Sequence, residues 1–248
     1  FDLSPLLAAG RILFDVEAVP TYPPVLEDLA VVVDEAVTAA QVEAVIRLGG
    51  SRILSRIVAR HVKGRMRTAL PVYGYAEHDL WRHSVAAAVA AENVSREKPD
   101  GAAGLSFTAA LLHDIGKLLL GRGGQTEAMS DIWELVYGGA GVCTCEQAER
   151  KVLGYSHADV GAEVAAAWRL PEPIVRAIRD HHGACAGTEA TDDNVRVANF
   201  IARAIGAGIG HEGMSMAVDS TIAQRTGISR RTLERLCAAT ATGLDDVL

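Results

Sequence analysis

Residues 111–120 read Leu-Leu-His-Asp-Ile-Gly-Lys-Leu-Leu-Leu, a polar trio inside an apolar run. Lys117 lies four residues from His113 and three from Asp114. If this stretch is helical, all three side chains can therefore line one cavity. The apolar residues between them then face a core. Buried polar groups need partners, and a metal ion is the expected partner for a histidine beside an aspartate.

A His-Asp pair on its own is weak evidence, because a satisfied core histidine beside a capping aspartate gives the same two residues. Here the pair is not isolated. Five of the eight histidines lie in one segment, each within a pattern that predicts a helix. They are His83, His113, His157, His181 and His182. This arrangement predicts one site assembled from several helices.

The composition indicates a globular, helical protein. Of the 248 residues, 49% are apolar and only 22% are charged, which is ample material for a core. Aromatic residues make up 5%, and a chain dominated by small and aliphatic residues suits closely packed helices better than a barrel or a sandwich. We therefore expect an all-α fold with little or no sheet.

Charge and hydropathy limit the expected partners. A net charge of −7 argues against a dedicated nucleic-acid surface, because neutralisation of phosphates supplies most non-specific affinity. The sequence has no run of about 18 uncharged apolar residues, and no signal-peptide pattern at its start. These features predict a cytoplasmic protein that does not enter a membrane.

Two helices are predicted to carry the first half of the site. One opens near Asp79 and runs to about residue 97, with Asp79 and His83 one turn apart on a face of small side chains. The other is the central helix, predicted over residues 106–120 and ended by the glycines that follow.

Later helices are predicted to carry the second half. Ser156 is a predicted helix cap, which places His157 in the first turn of its helix. Pro171 begins the next predicted helix, and His181 and His182 lie in its last turn.

A further helix is predicted to begin at Asp192 or Asp193 and to carry Asn199 towards the same point. Its apolar residues fix the opposite side of the helix in the core.

The segment 221–236 near the carboxy terminus is similar to a helix-turn-helix pair. Gly227 would lie in the turn, with Arg230, Arg231 and Arg235 on the second helix. The same segment is equally compatible with two helices that pack onto the rest of the domain, so both interpretations stay open here.

Taken in order, these residues resemble the HD superfamily of metal-dependent phosphohydrolases. The local sequence motifs are more similar to those of the HDOD branch of bacterial signalling proteins. The stretches that carry this resemblance are Leu80-Trp-Arg-His-Ser84, Leu111-Leu-His-Asp-Ile-Gly-Lys117, residues 149–154, His157-Ala-Asp-Val-Gly161, and Trp168-Arg-Leu-Pro171 through His181-His182. The resemblance covers about residues 79–206 and implies an HD-type multi-helix bundle in two helical lobes.

The resemblance also implies a metal site. In the HD-GYP relatives, which hydrolyse cyclic dinucleotides, the corresponding positions bind two or three metal ions, usually iron or manganese. Carried over by position, the implied metal ligands are Asp79, His83, His113, Asp114, His157, His181, His182 and Asn199. Asp114 and Lys117 would be the catalytic residues, with Lys117 meeting the substrate phosphate. The implied cofactor is one or two divalent transition-metal ions, iron or manganese, and a site without metal is left open.

Two departures separate this chain from those hydrolases. The last ligand, an aspartate in the family, is Asn199 here, and residues 183–187 read Gly-Ala-Cys-Ala-Gly in place of the Gly-Tyr-Pro element. An amide oxygen brings no charge, so Asn199 would weaken metal binding and the ionisation of a bridging water. Most HDOD relatives are regarded as regulatory modules, and the departures favour that function.

Two alternatives are kept. One is an active metal-dependent phosphohydrolase that acts on a cyclic dinucleotide or another phosphate ester. The lesser one is DNA binding through the helix-turn-helix-like tail. Expected partners are signalling proteins or a phosphate-containing small molecule, with nucleic acid and membranes disfavoured and a homodimer left open.

Three parts are expected along the chain. Residues 1–75 form a divergent amino-terminal helical lobe, residues 76–210 an HD-type core with the metal-site motifs, and residues 211–248 carboxy-terminal helices that close the core.

Overall fold

The computed structural model describes residues 62–97, 103–123, 126–138, 143–183, 189–214 and 224–245. All of these residues lie in one compact unit, Val32–Leu248. Most of the expected amino-terminal lobe, residues 1–75, therefore lies outside the described residues, and the three expected parts stay predictions.

The described residues form helices, and the only β-type pairing among them is a single bridge between Leu70 and Tyr75. The all-α prediction is confirmed. The helices are α1 (Asp79–Glu97), α2 (Ala103–Leu112), α3 (Gly116–Arg122), α4 (Thr126–Tyr137), α5 (Cys145–Leu153), α6 (His157–Ala167), α7 (Glu172–Arg179), α8 (Ala190–Ala204) and α9 (Arg230–Asp245). Short 3₁₀ helices cover Pro71–Tyr73 and His211–Met214.

Helix α1 lies at the centre of the bundle, where it packs against α2, α8 and α9. Five of its alanines are fully buried, namely Ala86, Ala87, Ala88, Ala90 and Ala91. Side chains this small let neighbouring helices approach closely, and they leave room for polar groups on the same helix. Around this centre, α6 packs against α3 and α7, and α7 packs against α2.

The prediction of one continuous helix over residues 106–120 is wrong. Helix α2 ends at Leu112 and α3 begins at Gly116, with a turn at residues 113–115 between them. In the turn the backbone N–H of Ile115 donates to the carbonyl of Leu112 at 2.9 Å, three residues back instead of four. The turn residues are as buried as the helices on either side, so the apolar pattern of the sequence does not reveal the break.

Gly116 allows α3 to lie directly against the start of α6. A Cβ atom at this position would meet the main-chain oxygen of His157 at 2.0 Å and the nitrogen of Gly161 at 2.8 Å. Both atoms belong to backbone, which cannot move aside as a flexible side chain can. This contact brings the turn at residues 113–115 beside the first residue of α6.

The predicted cap of α6 is confirmed. The Ser156 side chain accepts from the backbone of Asp159, and Asp159 accepts in return from the backbone of Ser156, which completes a capping box. His157 is therefore the first residue of α6, as expected.

Helix α8 begins at Ala190, slightly before the predicted start at Asp192 or Asp193. The two aspartates do not cap the helix, because their carboxylates accept from arginines instead. Asp192 binds Arg176 Nε at 3.0 Å, and Asp193 binds Arg225 at 2.8 Å.

Helix α9, the second helix of the tail, packs on α1 with Leu236 and Leu244 buried. Arg235 forms an ion pair with Glu97 at the end of α1, at 2.7 Å. These contacts are those of a helix that closes the bundle, and DNA binding by the tail stays an untested hypothesis.

One stretch of the described residues, Ala103–Arg122, is long and apolar enough to cross a membrane by length and composition. It comprises α2, the turn and α3, and 72% of its most apolar window is buried inside the protein. Burial among the other helices is the expected state of a core helix pair.

Gly116→Ala should lower the free energy of unfolding by at least about 2 to 3 kcal/mol, because the added methyl group meets backbone atoms on α6. For a chain of this size, that corresponds to a fall of roughly 5–10 °C in melting temperature.

Gly64→Ala is the control, since Gly64 lies in a helical, exposed segment and a Cβ there meets no described atom within 4 Å. It should leave the melting temperature unchanged or raise it slightly. Equal melting temperatures for the two variants, measured by circular dichroism, would contradict the close contact.

Candidate metal centre

The fold brings seven of the eight predicted ligands to one place inside the bundle. They are His83 from α1, His113 and Asp114 from the turn after α2, His157 from α6, His181 and His182 from the segment after α7, and Asn199 from α8. All of these side chains are buried except that of His182, which is half-buried. Sequence spacing could not show this convergence, because it depends on how five segments pack.

The Asp114 carboxylate lies at the centre of this cluster, and its two oxygens face different histidines. Oδ1 lies 3.4 Å from His157 Nε2 and 3.6 Å from His181 Nε2. Oδ2 lies 3.4 Å from His113 Nε2 and 3.6 Å from His83 Nε2. One carboxylate therefore joins two sets of potential ligands.

We call these sets the four-donor group, comprising Asp114, His157, His181 and His182, and the three-donor group, comprising His83, His113 and Asp114. Within each group, the atoms that could bind a metal lie within 4.8 Å of one another.

Main-chain carbonyls orient three of the imidazole rings. The Nδ1 atoms of His83, His113 and His181 lie 3.1, 2.6 and 2.6 Å from the main-chain oxygens of Ala207, Ala110 and Ile178 respectively. A carbonyl oxygen can only accept, so each Nδ1 carries the proton, and each Nε2, which lies 3.4–3.6 Å from an Asp114 oxygen, keeps a lone pair. This is the arrangement by which proteins orient histidines that bind metals.

A buried carboxylate, Glu149, orients His157. Its Oε2 accepts from the Nδ1 atom of His157 at 2.7 Å and from the backbone N–H of the same residue at 2.8 Å. Its Oε1 accepts from the Tyr73 hydroxyl at 2.8 Å. Glu149 was not predicted as a site residue, since nothing in its local spacing on α5 connects it with His157.

Burial and nearby charges set the protonation of the rings. Burial lowers the pKa of His83 to about 3 and that of His181 to about 4, and it lowers the pKa of His182 well below the usual range. Burial also opposes the charge on His157, but the Glu149 carboxylate outweighs it and raises the pKa of His157 to about 10. Three rings are therefore neutral at physiological pH, the state in which imidazole binds metals.

Two atoms of the four-donor group are left in a state that a bound cation would satisfy. Among the described residues, neither Asp114 Oδ1 nor His181 Nε2 has a hydrogen-bond partner, although both are buried. Each buried atom left without a partner costs about 1–3 kcal/mol of folding free energy. Imidazole nitrogens and a carboxylate are ligands that divalent transition metals accept, so the residues present fit a metal ion.

Lys117 lies in a buried ion network beside this centre. Its ammonium donates to Asp114 Oδ2 and to Glu212 Oε2, both at 2.9 Å, and its side chain is fully buried. Arg203 also binds Glu212 Oε2, at 2.6 Å. Glu212 was missed in the sequence because it follows a glycine-rich segment that carries no helical pattern. A catalytic role for Lys117 stays a prediction.

Asp79 and Asn199, two of the eight predicted ligands, differ in position. The half-buried Asp79 belongs to neither group, and its carboxylate accepts from the backbone N–H of Ala76 at 2.8 Å at the start of α1. Asn199 lies where its helix was expected to carry it, with its side-chain oxygen 3.2 Å from His83 Nε2.

Comparison with known proteins supports both the fold and the family. The sequence model of the HDOD domain matches residues 33–184, more than half of the chain. The solved structure of an HDOD domain protein of unknown function from Geobacter sulfurreducens aligns with a TM-score of 0.59 at 25% identity, covering 83% of this chain and 72% of that one. A solved structure from Shewanella amazonensis SB2B aligns with a TM-score of 0.53 at 20% identity, covering 83% and 78%, and shows the fold alone.

A short segment of the chain is similar to part of a much longer protein. The phenylalanine–tRNA ligase beta subunit of Anaeromyxobacter dehalogenans (strain 2CP-C) is 53% identical over 46 residues, which is 18% of this chain and 6% of that subunit. The Bacillus subtilis (strain 168) subunit is 41% identical over 56 residues, 23% of this chain and 7% of the subunit. The chain thus spans only a small fraction of these curated relatives, and the match carries no argument about the buried centre.

Glu149→Gln should weaken metal binding about 10- to 100-fold, because an amide beside Nδ1 no longer supplies the charge that orients His157 and makes it more basic. Competition with a chromophoric chelator would measure the change in affinity.

Tyr73→Phe is the control, since it removes only the hydroxyl bond to Glu149 and leaves both bonds to His157. Its effect should be several-fold smaller. Identical affinities for the wild type and Glu149→Gln would show that Glu149 is not a partner of a metal-binding histidine.

Proposed function

Since the chain belongs to the HDOD domain family, we propose that it is a bacterial signal-transduction domain that retains a divalent transition-metal ion in its buried His/Asp pocket. The observation that carries this proposal is the Asp114 carboxylate, surrounded by four imidazole rings and holding an unpaired buried oxygen. Iron or manganese suits this mixture of nitrogen and oxygen ligands.

Bound metal would act as a structural link within the domain. The residues that would hold it come from the turn at residues 113–115, the start of α6 and the segment after α7. These segments are distant in sequence, so a shared ligand couples their positions and alters their stability when it is bound or lost. Loss or gain of the ion is thus a means of changing the surface that a partner contacts.

The electrostatics of the pocket favour regulation over catalysis. A phosphoryl-transfer site needs cations that are free to contact the substrate phosphate. Here the Lys117 ammonium is bound on both sides by carboxylates, and Glu212 also binds Arg203. The side chains that could hold the metal are buried, apart from the half-buried His182, so a phosphate ester would have little access to them.

The partners we propose are signalling proteins or a phosphate-containing small molecule in the cytoplasm. A protein partner would bind the outside of the bundle and sense the metal state through helix positions. The low aromatic content and the acidic net charge give no support to nucleic acid as the partner.

A metal-dependent phosphohydrolase is the second candidate, and one observation favours it. Asp114 is shared by two ligand groups, as a carboxylate is in enzymes that use two metal ions to activate a bridging water. In that case Asp114 would hold both ions, and Lys117 would have to exchange Glu212 for the substrate phosphate.

Asp114→Asn should abolish metal retention, because it removes the only carboxylate common to both groups. Elemental analysis of the purified full chain after reconstitution with Fe²⁺ or Mn²⁺ would measure the metal content. Asp131→Asn makes the same chemical change at an exposed position on α4 and should keep the wild-type metal content. Unchanged metal in Asp114→Asn, with a normal helical spectrum, would refute the proposed pocket.

Metal-loaded wild-type protein should show no metal-dependent hydrolysis of a cyclic dinucleotide or of bis(p-nitrophenyl) phosphate. The reason is that the cations near the pocket are neutralised within the protein. Robust turnover that Asp114→Asn abolishes and Asp131→Asn preserves would replace the regulatory proposal with the phosphohydrolase.

A further inference from the structure

We infer that the chain holds one metal ion per molecule, in the four-donor group, and that the three-donor group binds none. This inference rests on the proposed metal binding and goes further by assigning the ion to one half of the cluster. It also changes the expected role of Asn199 from a weak ligand to the hydrogen-bond partner of His83.

The two oxygens of Asp114 are not equivalent. Oδ2, which faces the three-donor group, already accepts from the Lys117 ammonium at 2.9 Å. A second cation bound to the same oxygen would lie close to that ammonium, and like charges in a buried setting repel strongly. Oδ1, which faces the four-donor group, has no hydrogen-bond partner among the described residues, and the groups that lie against it are the imidazoles of His157 and His181. A metal ion bound there would displace the proton of the His157 ring, whereas the Lys117 ammonium beside Oδ2 would remain.

The four-donor group also has the better set of ligands. It offers three imidazoles and the unpaired carboxylate oxygen, a set of nitrogen and oxygen ligands that would suit iron or manganese. The Glu149 carboxylate behind His157 adds negative charge and makes that ring more basic. His181 Nε2, the second unpaired atom, belongs to this group alone.

In the three-donor group, Asn199 can satisfy His83 without a metal. His83 Nδ1 is the donor to the Ala207 carbonyl, so Nε2 of the neutral ring accepts. The oxygen and nitrogen of an amide exchange places when the group turns by 180°, and this places an NH₂ donor 3.2 Å from His83 Nε2. An aspartate has no proton to donate at neutral pH, so only the asparagine can occupy the lone pair of His83 in this way.

Matched histidine variants test the assignment. His83→Asn and His181→Asn each keep an NH₂ group near the position of Nδ1, so each can keep its bond to a main-chain carbonyl while Nε2 is lost. The two residues are similarly buried, and they differ in the group to which they belong. Metal per chain would be measured by elemental analysis of the full chain reconstituted with Mn²⁺, and folding by circular dichroism.

The wild type should hold one ion per chain, His83→Asn should also hold one, and His181→Asn should hold at most a tenth of that amount. Two ions in the wild type, or metal lost from His83→Asn and retained by His181→Asn, would overturn the assignment while leaving the proposed metal pocket intact. A wild type that binds no metal after reconstitution would refute the proposed pocket and the assignment with it.

Asn199→Asp provides a second measurement that does not depend on the folding of the histidine variants. The substitution removes the NH₂ donor and adds a carboxylate to the three-donor group, so the metal content should rise from one ion per chain to two. A metal content that stays at one, in protein that is folded as the wild type is, would overturn the role assigned to Asn199 and leave the Lys117 ammonium as the group that excludes a second ion.

Discussion

The carboxylate of Asp114 is buried between closely packed helices, and the arrangement of the charged and polar groups around it follows from that constraint. An isolated carboxylate at this depth would be strongly destabilising, so it must be surrounded by cations or by donors. Lys117 supplies a full charge on one side, and four imidazole rings surround the rest. The ion pairs that compensate this charge couple the positions of the helices that carry these groups.

A second layer of acidic groups balances the cluster from outside. Glu149 is paired with His157, and Glu212 is paired with Lys117 and Arg203. Glu212 is remote in sequence from Lys117, whereas Glu149 and His157 lie on two consecutive helices. This balance explains how a pocket rich in titratable groups can be stable in the core.

The turn between α2 and α3 is where the packing and the chemistry meet. Because the chain turns at residues 113–115, the side chains of His113 and Asp114 lie within the cluster while both flanking helices stay in the core. The turn is kept against α6 by the close backbone contact at Gly116. Loosening this contact would separate Asp114 from His157, so the glycine matters to the site although it offers no ligand.

The helical class, the cap at Ser156 and the identity of most of the cluster could be predicted from the sequence, because they depend on periodicity, local hydrogen bonding and residue type. The turn that divides α2 from α3 could not, since it is as buried as the helices on either side. Nor could Glu149 and Glu212, whose partners depend on how separate helices and loops pack against one another. The sequence by itself determined which residues could bind a metal. Only the tertiary structure decided that Asp79 stays outside the cluster and that the two oxygens of Asp114 differ, because both facts depend on which side chains from other helices lie within hydrogen-bond distance.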